Sequence, residues 1–278
     1  MANVLITGCS SGFGFATALV FARRGERVFA SMRDPSRGRE LEATARSEGL
    51  QLEIVALDVR DPASVGAAFE RVAAAGPLDV LVNNAGIELR SSIEDASDED
   101  VHRQFDTNVY GALRAIRAAL PGMRARKRGT IVNVSSIAGI VARPYGGLYA
   151  ASKHALEAIS EALHYELQPF GVRVVVVEPG QYGTRLADNA LVGRSFGPQS
   201  PYWERSERFD VAIQRLRPGG VAGDAAEVAR LIYDAVHDPE RKLRYLAGQD
   251  AHTIAAAYRQ LPFEDYEKAM RQTLDWWD

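Results

Sequence analysis

The feature that most restricts how this chain can fold is a series of short, β-branched runs with no polar residue at alternate positions. Val174-Val175-Val176-Val177 is the clearest. A strand with one wet face alternates apolar and polar side chains, so an uninterrupted run marks a strand covered on both faces, as in a parallel sheet between helices. Such runs predict strands at Asn3–Thr7, Arg27–Met32, Leu52–Ala56, Leu78–Val82, Thr130–Val134, Arg173–Glu178 and Leu243–Leu246. Helical patterns fall between them at Phe13–Arg24, Arg39–Ser47, Ala63–Ala75, Asp100–Ala119, Tyr149–Gln168 and Ala225–Val236. In the fifth, Leu156, Ile159, Leu163 and Leu167 recur at helical spacing, and Pro169 and Gly171 end it. The alternation reads as an α/β chain.

The chain has 278 residues, 46% of them hydrophobic, with no fixed-period repeat and no linker-like stretch. We read residues 1–278 as one domain. Two regions break the alternation: residues 185–222 and a tail from about residue 248. In the first, Phe196, Tyr202, Trp203 and Phe209 show no sustained period. We therefore expect a substrate lid with short helices, hinged at Gly193, Gly197, Gly219 and Gly220, rather than a core element. A net charge of −3 gives no field for nucleic acid or an anionic membrane, and no run is long enough to span one. Cys9 is the single cysteine, which excludes an internal disulfide and a cysteine-rich metal site; no metal is expected. With no leader pattern in Met1-Ala2-Asn3, a reducing, cytoplasmic setting is expected.

The first strand runs into Thr7-Gly8-Cys9-Ser10-Ser11-Gly12-Phe13-Gly14 and then into a helix. A glycine turn there lets the backbone approach a pyrophosphate, whose charge rests on free amides at the helix start. A tight strand-to-helix turn also needs glycines for structural reasons alone. Gly8 to Gly12 further satisfies Gly-x-Ser-x-Gly, the elbow of serine hydrolases, with Ser10 as nucleophile and His237 or His252 as partner. Position disfavours that reading, because the elbow needs an earlier strand and loop to donate an oxyanion-hole amide.

Ser135-Ser136 ends the fifth strand, and Tyr149 and Lys153 follow at 13 and 17 residues beyond Ser136. Tyr and Lys four apart share a helix face, and a strand's C-terminal end is where parallel sheets bind ligands. A nearby ammonium stabilises a phenolate; lowering a tyrosine pKa by ~3 units takes roughly 4 kcal/mol.

With these residues in place the chain resembles the short-chain dehydrogenase/reductase family, over nearly its whole length to about Asp250. The matching pieces are Thr7-Gly-x3-Gly-x-Gly14, Asp58-Val59, Asn83-Asn84-Ala85-Gly86, Asn108, Ser136, Tyr149-x3-Lys153, and Pro179-Gly180 followed by Thr184. The resemblance implies a doubly wound Rossmann-type parallel sheet of about seven strands, a nicotinamide cofactor, carbonyl/alcohol interconversion and a homodimer or homotetramer. It implies that Tyr149 is the acid in reduction and the base in oxidation. Ser136 would hold the carbonyl oxygen, Lys153 would bind the nicotinamide ribose and lower the Tyr149 pKa, and Asn108 would bind a water linking Lys153 to solvent. Gly8, Ser10, Ser11, Gly12, Phe13 and Gly14 would cradle the pyrophosphate. Asp58 and Val59 would meet adenine, Asn84, Ala85 and Gly86 the adenosine ribose, and Pro179, Gly180, Tyr182 and Thr184 the nicotinamide end.

At the end of the second strand, where NAD-preferring folds place a carboxylate, stand Met32 and then Arg33. Arginine forks onto a phosphate, which favours NADP over NAD, with Ser11 as a further donor and Asp34 committed to the turn before Pro35. Thr7-Gly8-Cys9-Ser10-Ser11-Gly12, Met32-Arg33-Asp34 and Leu243-Arg244-Tyr245 look most like the branch containing 17-beta-hydroxysteroid and retinol dehydrogenases, which implies a bulky apolar alcohol or ketone. Tyr182 departs from that pattern, where a smaller aliphatic residue is usual. The alternatives are a non-catalytic NADP-sensing protein, expected to show a broken Ser-Tyr-Lys set, and the Ser10 hydrolase.

Overall fold

The computed structural model describes residues 1–182, 190–216 and 223–276. Predicted strand Thr130–Val134 is observed one residue longer and Arg173–Glu178 one residue longer at each end, and the others lie within two residues of expectation. They are β1 (Asn3–Ile6), β2 (Arg27–Met32), β3 (Leu52–Ala56), β4 (Val80–Asn83), β6 (Gly129–Val134), β7 (Val172–Pro179) and β9 (Arg244–Ala247). They form one parallel sheet in the order β3-β2-β1-β4-β6-β7-β9. The chain winds outward from β1 to β3, returns beside β1 as β4, and winds out the other way. The switch lies between β1 and β4, where such sheets open a crevice at their C-terminal ends.

Both sheet faces are dry. Val4 and Ile6 pack with Val28, Val82, Val175 and Val177 beneath α1 (Gly12–Arg23) and α8 (Ala225–His237). Leu5, Phe29, Leu81, Ile131 and Val174 face α3 (Pro62–Ala73), α5 (Gly111–Ala125) and α6 (Gly147–Leu167). The absence of polar alternation thus has its expected cause. Helix α2 (Arg39–Ser47) matches its prediction.

One predicted helix is two. Instead of a single helix over Asp100–Ala119, α4 (Asp98–Phe105) starts on a Ser97–Asp100 capping box and gives way to a π-helical turn at Asp106–Tyr110, after which α5 begins. Apolar periodicity continues through the turn, so the pattern could not reveal it. A Cβ at Gly111 would stand 2.7 Å from Val59 Cγ2, so glycine lets the restart pack against the third strand's exit.

The region read as a lid is built into the fold where it is described. Its described part pairs β8 (Leu191–Val192) with β5 (Leu89–Arg90) and contains α7 (Trp203–Ala212), which supplies the expected short helix. One of its aromatics, Phe209, nevertheless belongs to a small core. Phe209, 1% exposed, packs with Leu274 and Trp276, its ring 5.0 Å from that of Trp276. The segment is pinned by Ser200 donating to Asp95 at 2.6 Å, Arg194 N–H to Asp100 at 3.1 Å, and Arg90 to Glu207 at 2.6 Å. Gly193 donates to Arg90 O in the small sheet, and neither Gly193 nor Gly197 takes a positive φ; the proposed hinges Gly219 and Gly220 lie outside the described residues. The tail, unassigned from sequence, forms α9 (Gln249–Gln260) and α10 (Phe263–Leu274) and closes this cluster. No described helix is long and apolar enough to cross a membrane.

Removing the Phe209 ring should therefore cost about 3 kcal/mol, as for other buried phenylalanines. In urea, Phe209→Ala should unfold at a lower midpoint with an unchanged slope; an unchanged midpoint would show that the cluster lies outside the cooperative unit.

Candidate active site

The glycine turn is clamped to β4. Thr7 Oγ1 accepts the N–H groups of Asn84 and Ala85, both at 3.0 Å, and Asn84 Nδ2 donates to Thr7 O at 2.8 Å and Gly8 O at 3.1 Å. Gly8 and Gly12 adopt φ of +77° and +59°, which side-chain-bearing residues resist. A Cβ at Gly14 would lie 2.4 Å from Gly8 O, so helix and turn can meet only without one. Ser11 caps α1 without using its hydroxyl, the first turn carries no acidic residue, and Ser10 is half-buried in the turn. Open amides at a helix start with no competing carboxylate suit an anion, so these residues fit a dinucleotide's pyrophosphate.

Around this cradle the predicted contacts are differently placed. Arg33 is exposed beyond β2 and makes no ion pair among the described residues, while Asp34 turns its carboxylate onto Ser36 N–H and Met32 is buried. Asp58 is held by Arg60 at 2.7 Å, which lowers its pKa, and Val59 O accepts from Arg114 at 3.2 Å. Gly86 lies against Asn108, where a Cβ would come within 3.4 Å of Oδ1. Gly180 N–H bonds Ala247 O, and Asp250 fills the space over it, accepting from Gln181 N–H at 2.6 Å. Tyr182 is buried with its ring edge-on to Phe13 at 5.5 Å and its face against Gly223, so its bulk is absorbed by the core beside the glycine turn. Thr184 lies outside the described residues.

The reacting end brings Ser136, Tyr149 and Lys153 together. Ser136 follows β6 in extended conformation, accepts Ala138 N–H at 3.1 Å and donates to Pro179 O at 3.4 Å, and its hydroxyl is near enough to Tyr149 to favour the phenolate. Tyr149, 7% exposed, opens α6, and Lys153 Nζ donates to Val134 O at 2.8 Å and lies 5.6 Å from the tyrosine ring centroid. The expected lowering of the Tyr149 pKa by Lys153 is not what the protein groups alone produce. Burial, assisted by the Glu88 carboxylate, pushes the phenol well up, against Ser136 and Arg143. Burial also lowers Lys153 to about 8. Asn108, in the π-turn, exchanges two hydrogen bonds with Ile87, each at 2.9 Å, and donates to Ser152 at 3.1 Å, which ties the segment after β4 to α6.

Ser136, Tyr149, Pro179, Gly180, Tyr182 and Phe13 all line one cleft of about 660 Å³. Much of the remaining wall is apolar, with Val141, Phe209, Ile254, Met270 and Trp276, interrupted by Gln214, Glu267 and Arg271. At the tyrosine it carries charges that sequence reasoning missed: Glu88 paired with Arg143, and Arg90 paired with Asp210 at 2.9 Å. Glu157 and Glu178, buried behind Lys153, were missed too. Isolated charges look like surface residues in a sequence. The available signals were Glu157 at four residues from Lys153 and Glu178 ending a run of valines. The hydrolase alternative finds no support, since His237 and His252 are exposed and neither bonds Ser10 among the described residues.

The sequence model for short chain dehydrogenase matches residues 2–193. An uncharacterized oxidoreductase of Bacillus subtilis, YusZ, is 35% identical over 275 residues, 97% of either chain. A 3-ketodihydrosphingosine reductase of Bacteroides thetaiotaomicron is 38% identical over 78% of this chain and 77% of its own. Human 17-beta-hydroxysteroid dehydrogenase type 1 is 36% identical over 87% and 76%, in accord with the branch that the motifs indicate. Among solved structures, a short-chain dehydrogenase from Streptomyces avermitilis superposes with a TM-score of 0.82 at 32% identity, covering 98% of this chain and 100% of the other. A gluconate 5-dehydrogenase from Burkholderia cenocepacia in complex with NADP and tartrate gives 0.76 at 26%, covering 91% and 95%. A family member from Burkholderia phymatum in complex with NAD gives 0.79 at 28%, covering 96% and 95%. With its glycine cradle, its Ser-Tyr-Lys cluster and these likenesses, the chain belongs to the short-chain dehydrogenase/reductase family and is an oxidoreductase with a nicotinamide dinucleotide cofactor.

Proposed function

We propose that this protein interconverts a carbonyl and an alcohol on a largely apolar substrate, with NADP(H) as cofactor and Tyr149 as the acid or base. The observation that carries the reading is the single cleft shared by Ser136, Tyr149 and the Phe13 side of the glycine turn. When bound, the nicotinamide supplies or takes up the hydride. Ser136 orients the carbonyl oxygen toward Tyr149 Oη. Burial keeps the phenol protonated, the form that gives its proton to that oxygen during reduction. Lys153, held at Val134 O, places a positive charge where a developing phenolate would form. Gly8 to Gly14 hold the pyrophosphate, and Arg33, exposed at the end of β2 with no ion pair among the described residues, takes the 2′-phosphate. The intact catalytic set favours turnover over sensing. Exposed Tyr165 and Phe170 at the end of α6 suit the homodimer or homotetramer that the family reading implies.

The cleft refines the substrate. Relatives named for 3-ketodihydrosphingosine and a 17-beta-hydroxysteroid support a large carbon skeleton, and the apolar part of the wall matches it. The Glu88–Arg143 pair beside Tyr149 adds a polar band, so the preferred substrate carries a hydroxyl or charged group near the reacting carbon and an apolar body beyond.

Tyr149→Phe should fold and bind NADPH but lose about 10²- to 10⁴-fold in kcat, the usual contribution of a general acid; retention of a tenth of the activity would remove Tyr149 from that role. In Met32→Asp with Arg33→Ala, the NADPH/NADH affinity ratio should fall by about 10- to 150-fold, the worth of one charge-assisted hydrogen bond, as read by titrating both cofactors; an unchanged ratio contradicts Arg33. Replacing Glu88 and Arg143 together by leucine leaves no lone charge. That variant should gain kcat/KM on wholly apolar ketones and lose about tenfold on those with a polar group beside the carbonyl; parallel changes on both would show that the pair is not a specificity element.

A further inference from the structure

One helical turn beyond Lys153 on α6 stands Glu157, its side chain 9% exposed, and beside it Glu178 at the end of β7, 1% exposed. Arg244 bridges the two: its Nε lies 3.0 Å from Glu157 Oε2 and 3.7 Å from Glu178 Oε1, while its other arm bonds Glu161 at 2.6 Å. Neither oxygen of Glu178 nor Oε1 of Glu157 has a hydrogen-bond donor among the described residues. Two buried carboxylates with orphaned oxygens are satisfied by one proton held between them, a donor to one and a link to the other. Burial and the Glu157 charge push Glu178 above the usual carboxylate range, against Arg244 and Arg259.

The arrangement reaches the active site by two routes. Along α6, the Glu157 charge is the leading opponent of the burial that lowers Lys153, with Glu88 second. Through the loop after β6, a Cβ at Gly139 would stand 2.7 Å from Ser135 Oγ and 3.3 Å from Glu157 Oε1, so the hydroxyl next to Ser136 borders the pair; it too is buried with no partner among the described residues. We propose that Glu157 and Glu178 share one proton and act as positioning residues for Lys153, keeping it an ammonium through the negative charge that remains on the pair. As pH rises the shared proton leaves, and the second negative charge appears where it opposes the loss of the Lys153 proton. The groups facing this system are Tyr149 and Glu161 on α6, Glu88 after β4, Ser135 after β6, Arg244 on β9 and Arg259 on α9. The role given to the pair rests on the role given to Lys153 above.

The sequence contains four lysines, and Lys127, Lys242 and Lys268 are exposed, so NMR of lysine labelled with ¹³C at Cε resolves Lys153 in the full chain without cofactor. Its titration midpoint, near about 8 in the unaltered protein, should fall by on the order of one pH unit in Glu157→Gln and by less in Glu178→Gln, and should hold in the exposed control Glu161→Gln. A folded Glu157→Gln protein with an unmoved Lys153 midpoint overturns the proposal. Should that variant not fold, infrared spectra decide: a protonated-carboxyl stretch should fade between about pH 6 and 9 in the unaltered protein and be missing in Glu178→Gln. No such band in the unaltered protein also overturns it. Neither readout uses turnover, so a protein inactive on every carbonyl yet showing both signals would refute the proposed reaction and leave the pair standing.

Discussion

Everything at the reacting end depends on keeping an ammonium in the interior. Lys153 is 5% exposed, donates to the carbonyl of Val134, and lies beneath the tyrosine that opens its own helix. A buried cation is stable only where carbonyls and carboxylates replace water. The parallel sheet supplies the carbonyl, because strand β6 ends beside α6. Glu157 and Glu88 supply the negative charge. The inner face of α6 is consequently less apolar than a helix packed on a sheet needs to be: Ser152, Lys153, Glu157 and Ser160 are buried along with Leu156 and Leu167.

A second constraint fixes the cofactor end relative to this one. The Thr7 and Asn84 hydrogen bonds join the turn after β1 to the exit of β4 across the switch point, and Asn108 joins the segment just beyond to α6 through Ser152. The cradle and the tyrosine are therefore held in one frame by short polar links. Asp250 extends that frame to the segment after β7, reaching from α9 to Gln181 and leaving no room for a side chain at Gly180.

The fold and the clustering of Ser136, Tyr149 and Lys153 were legible because each leaves a local pattern. Strands covered on both faces print as valine runs, and a tyrosine four residues before a lysine prints as one helix face. What failed to print depends on distant partners. The π-turn at Asp106–Tyr110 keeps apolar spacing, so one helix was expected where two exist. Phe209 packs on Trp276, more than sixty residues later, so its spacing carries no period and gave no sign of a core element there. Glu88, Arg143, Glu157 and Glu178 are single charges whose burial follows from tertiary packing. The side chains of Asp58 and Asn84 serve Arg60 and the glycine turn, partners that their motifs do not reveal.

The central claim is that this cleft delivers a hydride to a carbonyl carbon while Tyr149 delivers the proton. The direct measurement is mass spectrometry of the alcohol formed from a long-chain ketone bearing a polar group beside the carbonyl, with NADPH carrying deuterium at the transferable position of its nicotinamide. The account predicts an alcohol with one deuterium on the carbinol carbon, formed at least about a hundredfold more slowly by Tyr149→Phe. Unlabelled alcohol, or labelled alcohol formed at the same rate by that variant, would contradict it.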